Sequence, residues 1–281
     1  TMNLYLLPLG IDYSNHFNMN SEMLSIVGEP LDISNYYESY QKNPNETINK
    51  LTKDITDQLK NVMLDITDEE NYQSLYNLLH RFPIQSKNKS LIEKINFQKK
   101  TLEKVNNLKY EDSNEYYKFI DNIEALYNTT SKYKLRPYLF TKEEQSKMSN
   151  NILISSILLS LLSPLHLIGL VSNYIPYKIP VWFVNSKVKD IHFHSSLKLV
   201  LGVVCFGFYW GILTLLILLL FGWKIGLAYL ASLPLFALLN WRYWLSLIKT
   251  NGRIKFKRLN KKGKLDEAYK CFNAINEQLS L

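Results

Sequence analysis

Cysteine and glycine are both scarce in this chain, and each shortage excludes a class of protein. Its 281 residues include only two cysteines and ten glycines. Cys205 lies inside an apolar run and Cys271 in a polar tail, so we predict no disulfide between them and a reduced, cytoplasmic setting. The glycines do not form the phosphate-binding loops of nucleotide-binding folds, which excludes that class of site.

Acidic residues are nearly missing from the second half of the chain. Residues 1–150 carry 18 Lys and Arg against 21 Asp and Glu, a net charge of −3, whereas residues 151–281 carry 15 against 4, a net charge of +11. The basic excess therefore coincides with the apolar half, which indicates anionic membrane lipid as a partner. A nucleic-acid partner is not predicted, because no recognisable nucleic-acid-binding module accompanies the charge.

Histidine is also rare, and its spacing does not favour a metal site. His192 and His194 would share one face only if their segment were a strand, and a third ligand at useful spacing is missing. We predict that they lie at a membrane surface, where histidine can meet lipid phosphate. We predict no metal and no other cofactor.

Three long uncharged runs dominate the second half, over residues 152–171, 199–223 and 225–241. A helix needs about 20 apolar residues to cross the hydrocarbon core, so the second run qualifies outright and the third qualifies with its ends at headgroup level. The short turn between these two runs predicts a membrane-embedded helical hairpin. The basic residues that follow the third run predict a cytoplasmic tail by the positive-inside rule. We therefore predict an integral membrane protein, in the inner or plasma membrane if the source is bacterial, with cytoplasmic soluble parts.

The first run differs from the other two because Ser163 and Pro164 interrupt its middle. Proline removes a helical hydrogen bond and predicts a break there. The lysines of residues 172–196 favour a cytoplasmic loop, and residues 174–183 alternate aromatics, prolines and lysines as an interfacial segment does. We therefore predict a re-entrant or in-plane element over 152–171. Three straightforward crossings remain the alternative, because proline is common in membrane helices.

The first half combines a strand region with several helices. The short apolar run Leu4–Ile11 predicts a strand that is covered on both faces, and we expect its partner strands to precede residue 1. Apolar residues at helical spacing predict helices over 46–66, 69–82, 88–109 and 115–127. These helices contain many Lys, Glu and Asn residues, which favours a cytosolic helical region.

Two short segments carry a family resemblance. The segment LPLGIDY, Leu7–Tyr13, is followed by VGEPLDI, Val27–Ile33. This pair resembles the last conserved block of the glycerolipid acyltransferases, in which a proline-containing strand precedes a second strand that contains Gly-Glu-Pro. The resemblance implies substrate-binding roles for Pro8, Gly10 and Tyr13. The alternative reading of Pro8 is a proline at a strand edge or strand start with no ligand.

The catalytic motif of the resembled family, His-x-x-x-x-Asp, does not occur in this chain, because no histidine is followed five residues later by Asp. In the family this histidine takes the proton of the acceptor hydroxyl and the aspartate orients it. Since both this motif and the family's phosphate site precede the proline-containing strand, we expect catalysis to reside in a missing N-terminal half. We therefore assign no catalytic residue to this chain, and we expect it to be inactive alone.

The fold class that follows is an α/β remnant, the last strands of an acyltransferase domain, ahead of a mostly α-helical region and a membrane hairpin. The predicted regions are 1–66, the acyltransferase part; 67–150, the helical region; 151–249, the membrane region; and 250–281, the basic tail. The implied function is acyl transfer from acyl-CoA or acyl-carrier protein to glycerol-3-phosphate or lysophosphatidic acid. The alternative is a non-enzymatic membrane anchor or adaptor with a cytosolic helical domain.

Overall fold

The computed structural model describes residues 4–13, 23–83 and 90–279. Its contacts separate two compact units. The first unit holds the described residues up to Tyr127 together with those from Cys271 onward, and the second runs from Asn128 to Lys270. The chain is mostly helical with a few short strands, as the apolar spacing and the uncharged runs predict.

The strands and helices follow in this order. The strands are β1 (Tyr5–Leu6), β2 (Leu9–Tyr13), β3 (Met23–Val27) and β4 (Leu31–Asp32). The helices are α1 (Tyr37–Lys42), α2 (Pro44–Val62), α3 (Tyr72–Arg81), α4 (Leu91–Glu111), α5 (Ser113–Lys132), α6 (Lys142–Lys187), α7 (His194–Phe221), α8 (Trp223–Asn260) and α9 (Asp266–Leu279).

The four strands form two antiparallel pairs, which we together call the strand ribbon. β2 pairs with β3, with Leu9 opposite Val27, and β1 pairs with β4. We expected the partner strands of Leu4–Ile11 to precede residue 1, but the described partner of β2 is β3, which follows it. The predicted burial on both faces is also wrong for the described residues, since Leu7 is 55% exposed and Ile11 48% exposed. An isolated pair of strands has too few neighbours to cover its side chains.

The predicted helices of the first half are confirmed, with their ends shifted by local capping. Asn43 accepts a hydrogen bond from the Glu46 amide and Pro44 takes the first position of α2, where a missing amide hydrogen costs nothing. Ser90 and Glu93 form a reciprocal capping box at the start of α4. Fully buried apolar side chains from α3, α4 and α5 form the core of the first unit: Leu75, Leu78, Ile95, Ile123 and Leu126.

A buried carboxylate also stabilises this unit. Asp68 is 8% exposed and accepts hydrogen bonds from the Lys109 ammonium at 2.6 Å, the Tyr116 hydroxyl at 2.5 Å and the Asn71 amide at 3.1 Å. Burial by itself raises the pKa of Asp68, but these donors outweigh it and hold the pKa well below its usual range. The carboxylate therefore joins the loop before α3 to α4 and α5.

α6 is one continuous 46-residue helix. The predicted helix break at Ser163–Pro164 is therefore wrong, and the predicted loop over 172–196 is wrong for its residues up to Lys187. Each proline leaves the carbonyl four residues earlier without its helical donor. The Ser163 hydroxyl donates to the Ser160 carbonyl at 2.8 Å, and the Trp210 indole donates to the Ser172 carbonyl at 3.3 Å. Side chains thus satisfy the carbonyls that Pro164 and Pro176 release.

A single residue separates α7 from α8. Gly222 has φ 86°, a conformation that favours glycine. A Cβ on Gly226 would come within 2.9 Å of the Leu218 Cβ. The two helices are therefore in contact at Leu218 and Gly226, four positions before and four positions after Gly222. Among the described residues, α6, α7 and α8 are the three helices that are long and apolar enough to cross a membrane. By length and composition, the chain is therefore a membrane protein.

Candidate functional site

The predicted substrate-binding residues lie where the strand ribbon packs on the end of α2. Pro8 is buried, and its carbonyl accepts a hydrogen bond from the Gly28 amide at 2.9 Å. A Cβ on Gly28 would lie 2.8 Å from the Pro8 Cγ and 2.9 Å from the Val62 Cγ1. The proline-containing strand and the Gly-Glu-Pro segment are thus direct neighbours, and glycine is required where they meet.

The space for a side chain at Gly10 is even smaller than at Gly28. A Cβ on Gly10 would come within 2.0 Å of the Val62 carbonyl oxygen, so the last turn of α2 occupies the space beside this residue. This packing accounts for a small residue at position 10 without a ligand. Tyr13 ends β2 opposite Met23, and its side chain lies outside the described part of the structure.

A second candidate site lies inside the second unit, between α6 and α8. The Nδ1 atom of His166 lies 2.7 Å from the Asn240 Oδ1; since an amide oxygen only accepts, Nδ1 carries the hydrogen. Both side chains are buried, at 7% and 5% exposure. A Cβ on Gly169 would come within 2.9 Å of the Asn240 Oδ1, so the absence of a side chain at Gly169 leaves room for the amide.

Aromatic rings enclose this histidine. Its ring stacks on Tyr243 at a centroid distance of 3.9 Å and an angle of 10°, and meets the edge of Trp244 at 6.0 Å. The imidazole is therefore covered on one face by a ring and tied at Nδ1 by an amide. A histidine held in this way positions two helices against each other.

More polar contacts follow along α6, one to two turns beyond His166. The Ser172 hydroxyl lies 2.8 Å from the Tyr229 hydroxyl of α8. The Asn173 amide group donates to the Gly169 carbonyl at 2.7 Å, while its buried Oδ1 atom has no partner among the described residues. On the α7 side, the Tyr209 hydroxyl donates to the Val171 carbonyl at 3.1 Å.

The other end of the α6–α8 contact is charged. The Glu144 carboxylate accepts a hydrogen bond from the Arg253 Nε at 2.6 Å, and both side chains are nearly buried, at 13% and 14% exposure. The Phe140 ring lies 5.0 Å from Phe256 and 5.0 Å from Tyr269 in the same unit. These contacts fix the ends of the two helices together.

The sequence motifs do not point to this polar cluster, because His166 is followed five residues later by Val171 rather than Asp and has no metal-binding neighbour at useful spacing. His166 and Asn240 both fall in or directly beside uncharged runs. A polar residue in such a run is costly to bury and marks a specific contact, and this signal was present in the sequence. The sequence carries no signal that His166 pairs with Asn240, which lies 74 positions away.

Of the two neighbouring histidines, His192 precedes α7 and His194 is its first residue. His194 Nε2 lies 2.9 Å from the Val188 carbonyl, and the His192 side chain lies outside the described part. Across the described ranges, no three His, Cys, Asp or Glu side chains are grouped to hold a metal ion.

Comparison with known proteins gives no match: no family model, no curated protein and no solved structure matches this chain. The acyltransferase resemblance therefore rests on the residues of the strand ribbon alone.

Proposed function

We propose that this chain is part of a membrane-bound glycerolipid acyltransferase. The enzyme would move an acyl chain from acyl-CoA or acyl-carrier protein to a hydroxyl of glycerol-3-phosphate or lysophosphatidic acid. This chain would supply the strand ribbon, a helical region and the membrane anchor. The catalytic His-x-x-x-x-Asp would come from outside it.

The observation that supports this proposal is the pairing of the two resembling segments. Pro8 and Gly28 come from the two halves of the block, and a hydrogen bond joins their backbones. One ladder pair also joins the two halves, with Leu9 of β2 opposite Val27 of β3. A chance match of two short segments would not require them to be neighbours.

Their role in the proposed enzyme is to shape the sheet rather than to react. Gly10 and Gly28 both face Val62 at distances that exclude a side chain. A substrate pocket beside this ribbon would therefore depend on the packing of α2 for its shape. Pro8, Gly10 and Tyr13 remain proposed substrate-binding residues in this indirect sense.

The proposed setting is the cytoplasmic face of a membrane. Basic side chains at the end of α8 and just after it are exposed: Lys255, Arg258, Lys261, Lys262 and Lys264. Each basic residue near an anionic lipid surface contributes about 1 kcal/mol of attraction. This charge would hold the proposed enzyme close to its lipid substrates.

Genetic complementation tests the proposal. The coding sequence that contains this chain, with everything upstream in the same reading frame, is expressed in a strain whose own lysophosphatidic acid acyltransferase is conditionally inactivated. We expect growth to be restored. Gly10→Val should abolish the rescue because its side chain would overlap the Val62 carbonyl. Gly202→Val is the matched control, since no atom lies within 4 Å of a Cβ there.

A non-enzymatic membrane anchor or adaptor is the second candidate, and one observation favours it. The close packing of Gly10 on Val62 explains the ribbon without any substrate. Failure of the complete coding sequence to restore growth, at normal protein levels, would favour this candidate.

A further inference from the structure

We infer that the contact between α6 and α8 contains a binding site for one uncharged hydroxyl group, which joins Asn173 of α6 to Asn240 of α8. The hydroxyl is that of a buried water molecule or of an uncharged lipid such as a diacylglycerol. This inference does not depend on the proposed acyl transfer, because it rests on hydrogen bonds within the second unit.

The site begins with a buried acceptor on α6. Asn173 is 7% exposed, and its Nδ2 atom donates to the Gly169 carbonyl at 2.7 Å, one turn earlier in the same helix. Its buried Oδ1 atom receives no hydrogen bond among the described residues. Folded proteins rarely leave a buried amide oxygen unsatisfied, and the hydrocarbon of a membrane supplies no donor. We therefore place a donor from a bound molecule at this atom.

Asn240 of α8 offers the complementary group. Its Oδ1 atom accepts from the His166 Nδ1 atom at 2.7 Å, whereas its Nδ2 atom donates to no acceptor in the described part of the chain. A Cβ on Gly169 would lie 3.0 Å from this Nδ2 atom, and the Gly169 carbonyl is the acceptor for Asn173. Both side-chain amides therefore lie against the same glycine.

A hydroxyl group fits these two amides. Its hydrogen donates to the Asn173 Oδ1 atom, and its oxygen accepts from the Asn240 Nδ2 atom. Two such partners are what a buried water needs. A charged ligand does not fit, because no Lys, Arg, Asp or Glu side chain is hydrogen-bonded to either amide among the described residues. A charge without a partner is costly in hydrocarbon.

Helix pairing alone does not account for Asn173. The neighbouring Ser172 hydroxyl lies 2.8 Å from the Tyr229 hydroxyl, so this pair joins α6 to α8 directly. Asn173 instead bonds to its own helix, within the stretch 148–177 that has no formal charge. A polar side chain in such a stretch is costly and marks a function, and its unused acceptor identifies that function as ligand binding.

Solid-state NMR tests this inference by tracing which protons lie next to Asn173. The full chain, perdeuterated and with ¹³C-labelled asparagine and leucine, is reconstituted in deuterated phosphatidylcholine, which has no hydroxyl. In the first arm, magnetisation starts on water protons. In the second arm, the buffer is D₂O and magnetisation starts on the protonated glycerol of added dioleoylglycerol. Loss of one signal in Asn173→Leu assigns the Asn173 Cγ atom.

We expect magnetisation to reach the Asn173 Cγ atom several-fold faster than it reaches Leu233, which is fully buried in α8. Fast transfer in the first arm identifies a water molecule, and fast transfer in the second arm identifies a lipid hydroxyl. Transfer to Asn173 that is no faster than transfer to Leu233 in both arms would overturn the inference.

A substitution at Gly169 tests where the hydroxyl lies. The added Cβ of Gly169→Ala would meet the Asn240 amide, so we expect most of the fast transfer to Asn173 to disappear. Gly202→Ala is the matched control, since no atom lies within 4 Å of a Cβ there, and it should keep the rate of the unsubstituted protein. An unchanged rate in folded Gly169→Ala would contradict a site between the two amides.

Discussion

Asp68 in the first unit and His166 in the second are both buried polar side chains, yet their surroundings are built in opposite ways. Asp68 is charged and accepts hydrogen bonds from Lys109, Tyr116 and Asn71. Among the described residues, His166 meets an uncharged amide and two aromatic rings. The difference matches the solvent around each unit. An ion pair with one partly exposed lysine suits water, whereas amide and aromatic partners bring no formal charge into hydrocarbon.

Removing the carboxylate should give the largest effect. Asp68→Ala leaves the buried Tyr116 hydroxyl and the Asn71 amide without their acceptor, and the expected loss is about 2–4 kcal/mol. Hydrogen exchange of the α5 amides in detergent-solubilised protein measures it. Asp65→Ala is the matched control, because Asp65 pairs with Lys60 at 3.9 Å with both side chains well exposed, and it should change stability by less than about 0.5 kcal/mol.

Acid should weaken the first unit through the same carboxylate. Because the folded-state pKa of Asp68 is lowered, its contribution is complete above the ordinary aspartate pKa of about 3.9. The contribution declines as the pH falls below that value towards the folded-state pKa. The protection factors of the α5 amides, which are the intrinsic exchange rates divided by the observed rates, should therefore fall between pH 5 and pH 2.5 (values chosen to bracket about 3.9). Asp68→Asn should flatten this dependence; an unchanged slope would refute the role given to Asp68.

The His166–Asn240 pair should show a smaller effect. A double-mutant cycle with His166→Leu and Asn240→Leu should give a coupling energy of about 0.6–1.7 kcal/mol, the range of hydrogen bonds between membrane helices. Unfolding in mixed micelles measures it. Leu165 lies next to His166 in sequence and is 43% exposed. A cycle with Leu165→Ala in place of His166→Leu is therefore the control, and it should give no coupling with Asn240.

The smallest effect should come from the serine that satisfies a proline-released carbonyl. Ser163→Ala should destabilise α6 by about 0.5–1 kcal/mol, because the Ser160 carbonyl loses its donor. In a Pro164→Ala background that carbonyl regains a backbone amide, so the same substitution should have almost no effect. Equal losses in the two backgrounds would show that Ser163 acts by another route.

The sequence predicts local features well and long-range partners poorly. The α4 and α5 helices follow from apolar spacing, and the uncharged runs identify the three long apolar helices. The continuity of α6 through Pro164 could not be foreseen, because it depends on where Ser163 and Trp210 place their donors. The pairing of His166 with Asn240 likewise depends on the relative position of two helices, which residue type alone does not specify.

The strand ribbon illustrates the same limit at the candidate site. The acyltransferase resemblance predicts substrate-binding roles for Pro8 and Gly10, and the structure places both in close packing near Val62. A two-residue contact between a strand and the end of a distant helix leaves no trace in periodicity. A substrate role for these residues therefore remains a prediction that only activity can test.

The most direct test of the proposed function is acyl transfer itself. Membranes that contain the product of the complete coding sequence, or residues 1–281 alone, are incubated with labelled acyl-CoA or acyl-carrier protein and lysophosphatidic acid. We predict labelled phosphatidic acid from the complete product and none above background from residues 1–281. Transfer by residues 1–281 alone would contradict the assignment of catalysis to residues outside this chain. No transfer by the complete product with either donor, or with glycerol-3-phosphate as acceptor, would contradict the acyltransferase proposal.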